Sequence, residues 1–183
     1  MHVFALIASD YRKYKKYGGH FFSIVFLTQG FWAIFQHRIA HFCYRLKIPI
    51  IKHILLIICL LWQKLIEIIT GISIPSSVQI GHSFYIGHFG GIIINAKSVI
   101  GDNCNLSQGV TIGVSGREAS RGVPVIGDNV YIGANAVIAG KITIGNNCVI
   151  AANSLVVSTF EDGVTLLGVP AKKVNHNSSK GYI

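Results

Sequence analysis

The chain has 183 residues, a length that suits one domain with an appended element. Hydrophobic residues make up 51% of it and charged residues 13%, which excludes a disordered polar tail. Sixteen Lys and Arg against seven Asp and Glu leave a formal charge of +9, so an anionic partner is expected: nucleic acid, a membrane surface or a phosphorylated ligand.

The first 73 residues carry nine basic and two acidic side chains, a net of +7, whereas residues 74–183 carry seven and five, a net of +2. Glycine divides the other way, four before residue 74 and sixteen after it, so two differently built regions meet near Gly71. The opening MHVFALIASD has no basic flank and runs straight into YRKYKK, which argues against a secretory signal. Cys43, Cys59, Cys104 and Cys148 form neither a CxxC pair nor a zinc-ribbon spacing, the pattern expected of a reduced cytoplasmic chain.

From Phe21 to Leu46, apolar residues such as Phe31, Ile34, Phe35, Ile39 and Phe42 recur at helical spacing. Pro49 opens a second helix that runs through Ile69, and Thr70-Gly71 supply its stop. The stretch Ile54–Trp62 is nine residues without a charge, but Lys52, Gln63, Lys64 and Glu67 interrupt on either side. A membrane span needs ~20 apolar residues, so a span is not expected. The expectation is a pair of apolar, basic helices packed on their own subunit or on a sister subunit. Peripheral contact of residues 1–70 with an anionic membrane, at its inner face, is the alternative. The basic residues sit among aliphatics rather than on one polar face, which argues against nucleic acid.

A six-residue beat then takes over. From Ile126 the chain divides into IGDNVY, IGANAV, IAGKIT, IGNNCV, IAANSL and VVSTFE. Upstream the same phase appears at Ile74, Ile80 and Ile86, slips by two residues, and resumes at Ile94, Ile100, Leu106 and Ile112. Neither a helix, with its 3.6-residue period, nor a lone strand, with its period of two, gives this beat. A parallel β-helix does: each hexad is a short strand plus a corner, and three hexads close one coil of a triangular prism. The leading aliphatics point inward and stack ~4.8 Å apart along the axis. About thirteen hexads make roughly four coils. Cys104 and Cys148 fall at the fifth position and read as small buried hydrophobes. The beat breaks twice, at IGHFGGII and at VSGREASRGVPV, a loop thrown from one corner.

These hexads, with IGHFGGIIIN, NLSQGVTIG, the excursion ending PVIGDNVYIGANAVIAG and the closing GVPAKKV, resemble the hexapeptide-repeat acyltransferases. The resemblance covers Ile72 to about Val174 and is nearest the serine acetyltransferase branch, which includes many capsule and exopolysaccharide O-acetyltransferases. It implies a mainly β chain: a left-handed parallel β-helix of about four coils over residues 72–174, after a helical region 1–71 and before a tail 175–183. It also implies a homotrimer, with pairing of trimers as a further option, and acetyl-CoA as co-substrate in the groove between subunits, with no metal.

The histidine that such enzymes use as general base matches His88. The chemistry agrees, because a hydroxyl is a weak nucleophile at neutral pH and imidazole can take its proton. The resemblance places the coenzyme groove around Gly133, Ala134, Ala151 and Ala152, and puts Lys172 and Lys173 near the adenosine phosphates. A backbone N–H near Gly113 or in residues 114–125 would hold the oxyanion. His82 and His88 are six residues apart, on successive faces, and only His176 in the tail could complete a three-histidine metal set.

Three positions depart from the family's pattern. An acidic residue is expected before the histidine, where Gly87 stands, and a carboxylate that orients the imidazole is expected at Ser73. The Arg-His pair expected in the loop falls at Gly122-Val123, leaving Arg117 and Arg121 as the nearest candidates for substrate binding. An amino acid bound without charged partners would lose several kcal/mol. The expected acceptor is therefore a sugar hydroxyl on a polysaccharide or lipid-linked precursor. Serine O-acetylation for cysteine biosynthesis is the alternative, and a non-catalytic β-helical scaffold with a membrane-binding leader is a third reading.

Overall fold

The computed structural model describes residues 2–183. Three helices lead: α1 (Val3–Lys16), α2 (Gln29–Tyr44) and α3 (Pro49–Thr70). The periodicity did not separate α1. The run from Phe21 is also not one helix: a π-helical turn at Ser23–Leu27 precedes α2, and Thr28 breaks the chain between them with extended backbone. Phe31 and Ile34 of α2 are buried, but Phe35 and Phe42 face out. Pro49 opens α3 and Gly71, in the left-handed region at φ 66°, ends it.

The rest is a three-sided parallel β-helix. Its first coil holds β1 (Ile72–Ser73), β2 (Gln79–Ile80) and β3 (Tyr85–Ile86). The second holds β4 (Ile92–Ile94), β5 (Val99–Ile100) and β6 (Asn105–Leu106). The third holds β7 (Thr111–Gly113), β8 (Val125–Ile126) and β9 (Tyr131–Ile132). The fourth holds β10 (Val137–Ala139), β11 (Thr143–Ile144) and β12 (Val149–Ile150). β13 (Leu155–Val156), β14 (Thr165–Gly168) and β15 (Ala171–Asn175) close the far end. The first face stacks β1-β4-β7-β10-β13, the second β2-β5-β8-β11, and the third β3-β6-β9-β12-β14-β15.

The leading aliphatics build the core. Ile86, Ile94, Ile112, Ile132, Ile150 and Val156 are all at or below 1% exposure, and the fifth-position Phe84, Cys104, Val110 and Cys148 are fully enclosed with them. Ile80 departs from the ladder and is only partly buried. Pairing of Ile72 with Ile92 locates the slip, 20 residues rather than 18, in the corner before β4. Ile150 pairs with Leu166, so the last coil is two residues short of 18, and the VVSTFE hexad does not complete a regular turn. An antiparallel hairpin, β14 with β15, then covers that end. Asn103, Asn129 and Asn147 stack at one edge with left-handed backbone, linked side chain to side chain at 2.8 and 3.1 Å.

The leader covers the open end of the first coil, where unpaired strand edges would otherwise face water. Arg38 donates to both carboxylate oxygens of Asp10, at 2.8 and 3.0 Å, and to the carbonyls of Ile80 and Gly81. Asp10 in turn accepts the N–H of Phe84 at 2.8 Å. Tyr14 Oη donates to the Ile86 carbonyl at 2.9 Å and accepts the Ile86 N–H at 3.1 Å.

Candidate active site

His88 lies two residues after Ile86, the strand residue that the leader holds most firmly. Tyr14 takes both backbone groups of Ile86, and α2 approaches so closely that a side chain at Gly30 would collide with the Ile86 carbonyl. The corner Gly87–Gly91 follows. There the Thr70 carbonyl, at the end of α3, accepts the Gly90 N–H at 2.9 Å. Gly90 and Gly91 have φ of 96° and 67°, which explains glycine at both positions. His88 and Phe89 project outward from this anchored corner and are exposed. Among the described residues the His88 ring makes no hydrogen bond, so the chain offers it no orienting carboxylate.

A carboxylate does lie beside Ser73. Ser73 Oγ donates to Glu67 Oε1 at 2.7 Å, Gln63 Nε2 donates to the same oxygen at 2.8 Å, and Lys64 Nζ reaches Oε2 at 2.6 Å. Burial pushes the Glu67 pKa up, but the bonds from Lys64, Ser73 and Gln63 outweigh it and hold the carboxyl below its usual 4.5. Sequence reasoning missed Glu67. Its signal is slight: the one acid in α3, placed so that the last helical turn lays its side chain over β1.

Gly133, Ala134, Ala151 and Ala152, four of the residues assigned to the coenzyme, share the prism edge of His88. That edge runs from Gly90 through Gly109 and Asn135 to Asn153, and backbone bonds of 2.9, 2.9 and 2.8 Å tie its levels (Gly109 to Gly90, Asn135 to Gln108, Asn153 to Ala134). A Cβ at Gly133 would stand 2.6 Å from the Ala152 nitrogen, so coil stacking alone requires that glycine.

Gly113, Arg117 and Arg121 are elsewhere. Gly113 ends β7, and the loop leaves from the edge between the first and second faces, whereas His88 occupies the edge between the third and first. The loop is held by an antiparallel bridge between Ser115 and Gly122 and by a short 3-10 turn, Glu118–Ser120, with both arginines exposed. Within one chain it does not meet His88. Lys172 and Lys173 lie on β15, and Lys173 Nζ is already paired with Glu161 at 2.6 Å.

The remaining candidates have structural tasks. His82 Nε2 lies 3.2 Å from Asp102 Oδ2, and its backbone N–H donates to Asp102 Oδ1 at 2.8 Å. Burial pushes the Cys104 thiol up to about 12 and raises that of Cys148, so neither is a nucleophile near neutral pH. Among the described residues no three His, Cys, Asp or Glu side chains gather as metal ligands. The larger clefts lie away from His88: one of about 790 Å³ beside Leu6, Arg38, His41 and Phe42, one of about 700 Å³ beside His41, Arg45, His82 and Asp102, and one of about 590 Å³ between the helices.

Comparison with known proteins adds an independent line. Residues 124–158 match the family model of the bacterial transferase hexapeptide (six repeats). The serine acetyltransferase of Bacillus pumilus is 33% identical over 160 residues, 87% of this chain and 70% of that protein. That of Synechococcus elongatus is 30% identical over 145 residues, 79% of this chain but 57% of its own length. The chain thus spans between roughly half and three quarters of these relatives. Among solved structures, the Neisseria gonorrhoeae serine acetyltransferase in complex with serine has a TM-score of 0.78 at 32% identity, covering 94% of this chain and 69% of that one. A serine acetyltransferase in complex with CoA has a TM-score of 0.80 at 28% identity, with the same two coverages.

Proposed function

Since the chain belongs to the serine acetyltransferase family of hexapeptide-repeat proteins, we propose that it is an acyltransferase that moves an acetyl group from acetyl-CoA to an acceptor hydroxyl. The observation that carries the mechanism is the anchored corner with His88 at its tip: a rigid mount that exposes one imidazole on an edge lined by small residues. The imidazole takes the hydroxyl proton as the oxygen attacks the thioester carbonyl. The tetrahedral intermediate then expels the CoA thiolate, which recovers the proton from the imidazolium.

The separation of His88 from the loop favours a site shared between chains. Three left-handed prisms around a threefold axis would set the loop of one subunit, with Gly113, Arg117 and Arg121, against the His88 edge of the next. Gly133, Ala134, Ala151 and Ala152 would then border the groove for the pantetheine arm. A backbone N–H near Gly113 would meet the oxyanion. Of the two lysines, Lys172 is the one without an ion-pair partner among the described residues and suits the coenzyme's phosphates.

L-serine is the acceptor the relatives support, and one of them is solved in complex with serine. The sugar acceptor expected from the sequence gains nothing from these comparisons. It stands as a second reading on one observation: Gly87, Gly122 and Val123 bring no charge to meet an ammonium or a carboxylate. Thiol release from acetyl-CoA, measured with L-serine, with sugar nucleotides and with oligosaccharides, separates the readings. Serine-dependent release establishes the first, release with a glycan alone establishes the second, and none with any acceptor favours the non-catalytic scaffold.

A further inference from the structure

We propose that the cavity between α1 and the corners at Ser83 and Asn103 binds a phosphate-type dianion, as the free ion or as the phosphoryl group of a larger ligand. The cavity lies on the prism edge between the second and third faces, whereas His88 occupies the edge between the third and first. This goes beyond the acetyl-transfer reading and stands without it.

Ser9, Arg12, Lys13 and Lys16 line it from one face of α1, at three- and four-residue spacing, and Ser83 and Asn103 line it from the corners before β3 and β6. Among the described residues no carboxylate lines it, and Arg12, Lys13 and Lys16 have no acidic partner. Like charges at this spacing repel one another, and an anion between them reverses that. The polar groups around them are already committed. Ser9 Oγ donates to the Leu6 carbonyl at 2.6 Å and accepts the Ser83 N–H at 3.0 Å, and Asn103 Nδ2 donates to Asn129 Oδ1. That leaves the three cations as the chief donors.

The second sign of a ligand is Lys13. It is only 5% exposed, yet its Nζ has no hydrogen-bond partner among the described residues. Taking an ammonium out of water is costly, and folded proteins pair such a group or neutralise it. Neither of the acidic groups near it does so. Asp10 accepts from Arg38 and from the Phe84 N–H, while burial pushes the Cys104 thiol up to about 12 and keeps it uncharged. Burial also lowers the Lys13 pKa, but only to about 8, so the amine stays mostly charged near neutral pH.

Size and charge set the ligand class. The cavity holds about 190 Å³ and is open to solvent, below the roughly 300 Å³ at which pockets for drug-sized ligands begin. One phosphoryl group fits, and any body attached to it stays outside. A guanidinium fork at Arg12 and ammonium groups at Lys13 and Lys16 suit a doubly charged tetrahedral group, with its several acceptor oxygens, better than a single carboxylate.

The test titrates the full chain, near neutral pH and at constant ionic strength, with inorganic phosphate and with glycerol 3-phosphate, reading the heat of binding and the melting temperature. Binding is expected, with a rise in melting temperature, since the ligand favours the folded state alone. Tighter binding of inorganic phosphate assigns the cavity to the free ion, and tighter binding of the ester assigns it to the phosphoryl group of a larger ligand. Lys13→Met, which keeps the buried stem and removes the charge, should abolish the response. Arg12→Ala with Lys16→Ala, both exposed positions, should leave the fold intact and raise the Kd by about tenfold or more. The proposal is overturned if neither titrant binds, or if Lys13→Met binds as the unaltered protein does. Should Lys13→Met fail to fold, an unchanged Kd in the Arg12→Ala, Lys16→Ala protein overturns it alone.

Discussion

Glu67 and His37 are two of the side chains whose protonation the fold perturbs in ways a titration can read. Glu67 is held below its usual 4.5, so the stability it contributes is present above that pH and is lost as pH falls through its lowered value. Glu67→Gln should therefore flatten the acid limb of a plot of melting temperature against pH below about pH 4.5. The same substitution should leave the limb above pH 5 in place. His37 behaves differently. Burial, then the charges of Arg38 and His41, push its pKa well below the usual 6.5, with the backbone of Pro75 opposing. The unfolded chain takes up a proton below 6.5 that the folded chain refuses, so stability declines as pH drops there, by up to about 1.4 kcal/mol per unit. His37→Leu should remove that part of the slope. If both variants keep the wild-type profile, the electrostatic account of the leader is wrong.

At the scale of elements, the leader acts as the lid of a solenoid, and Tyr14, Gly30 and the Asp10–Arg38 pair are its fastenings. Tyr14→Phe leaves the ring in place but strands the Ile86 backbone groups in a dry site, for a loss of about 1–3 kcal/mol in unfolding free energy. Because Ile86 leads into the His88 corner, the variant should also lose activity faster on warming than the whole fold melts. Urea denaturation followed by circular dichroism, alongside activity at several temperatures, checks both.

These fastenings also mark what was legible in the sequence. The β-helix could be read because each inward aliphatic recurs at a fixed interval, and a period survives without knowledge of partners. The His88 corner could be read as the place where the interval slips, and the structure gives the slip a cause, since the end of α3 needs Gly90 and Gly91 to dock against. The Tyr14 clamp could not be read, because its partner is a backbone carbonyl 72 residues away. Nor could the contact of Glu67 with Ser73, which depends on how the last turn of α3 enters β1. The break at Thr28 escaped because apolar spacing continues across it while the backbone does not.

For the whole molecule, the account turns on a seam. One chain carries the His88 edge and, at a different edge, the loop with Arg117 and Arg121. In a shared site these parts complement each other across subunits. Mixing inactive His88→Ala chains with inactive chains carrying Arg117→Ala and Arg121→Ala, after denaturation and joint refolding, should restore a fraction of the activity, because some seams then pair an intact edge with an intact loop. Failure to regain activity, with mixed oligomers confirmed, would put the site within a single subunit.

The most direct measurement is the turnover of acetyl-CoA by His88→Ala against the unaltered protein, at saturating acceptor and neutral pH, with the melting temperature recorded for each. A general base at that corner predicts a fall of about 10²–10⁴ in kcat with the melting temperature unchanged. Turnover within a few-fold of the unaltered protein would contradict the assignment of the chemistry to this imidazole.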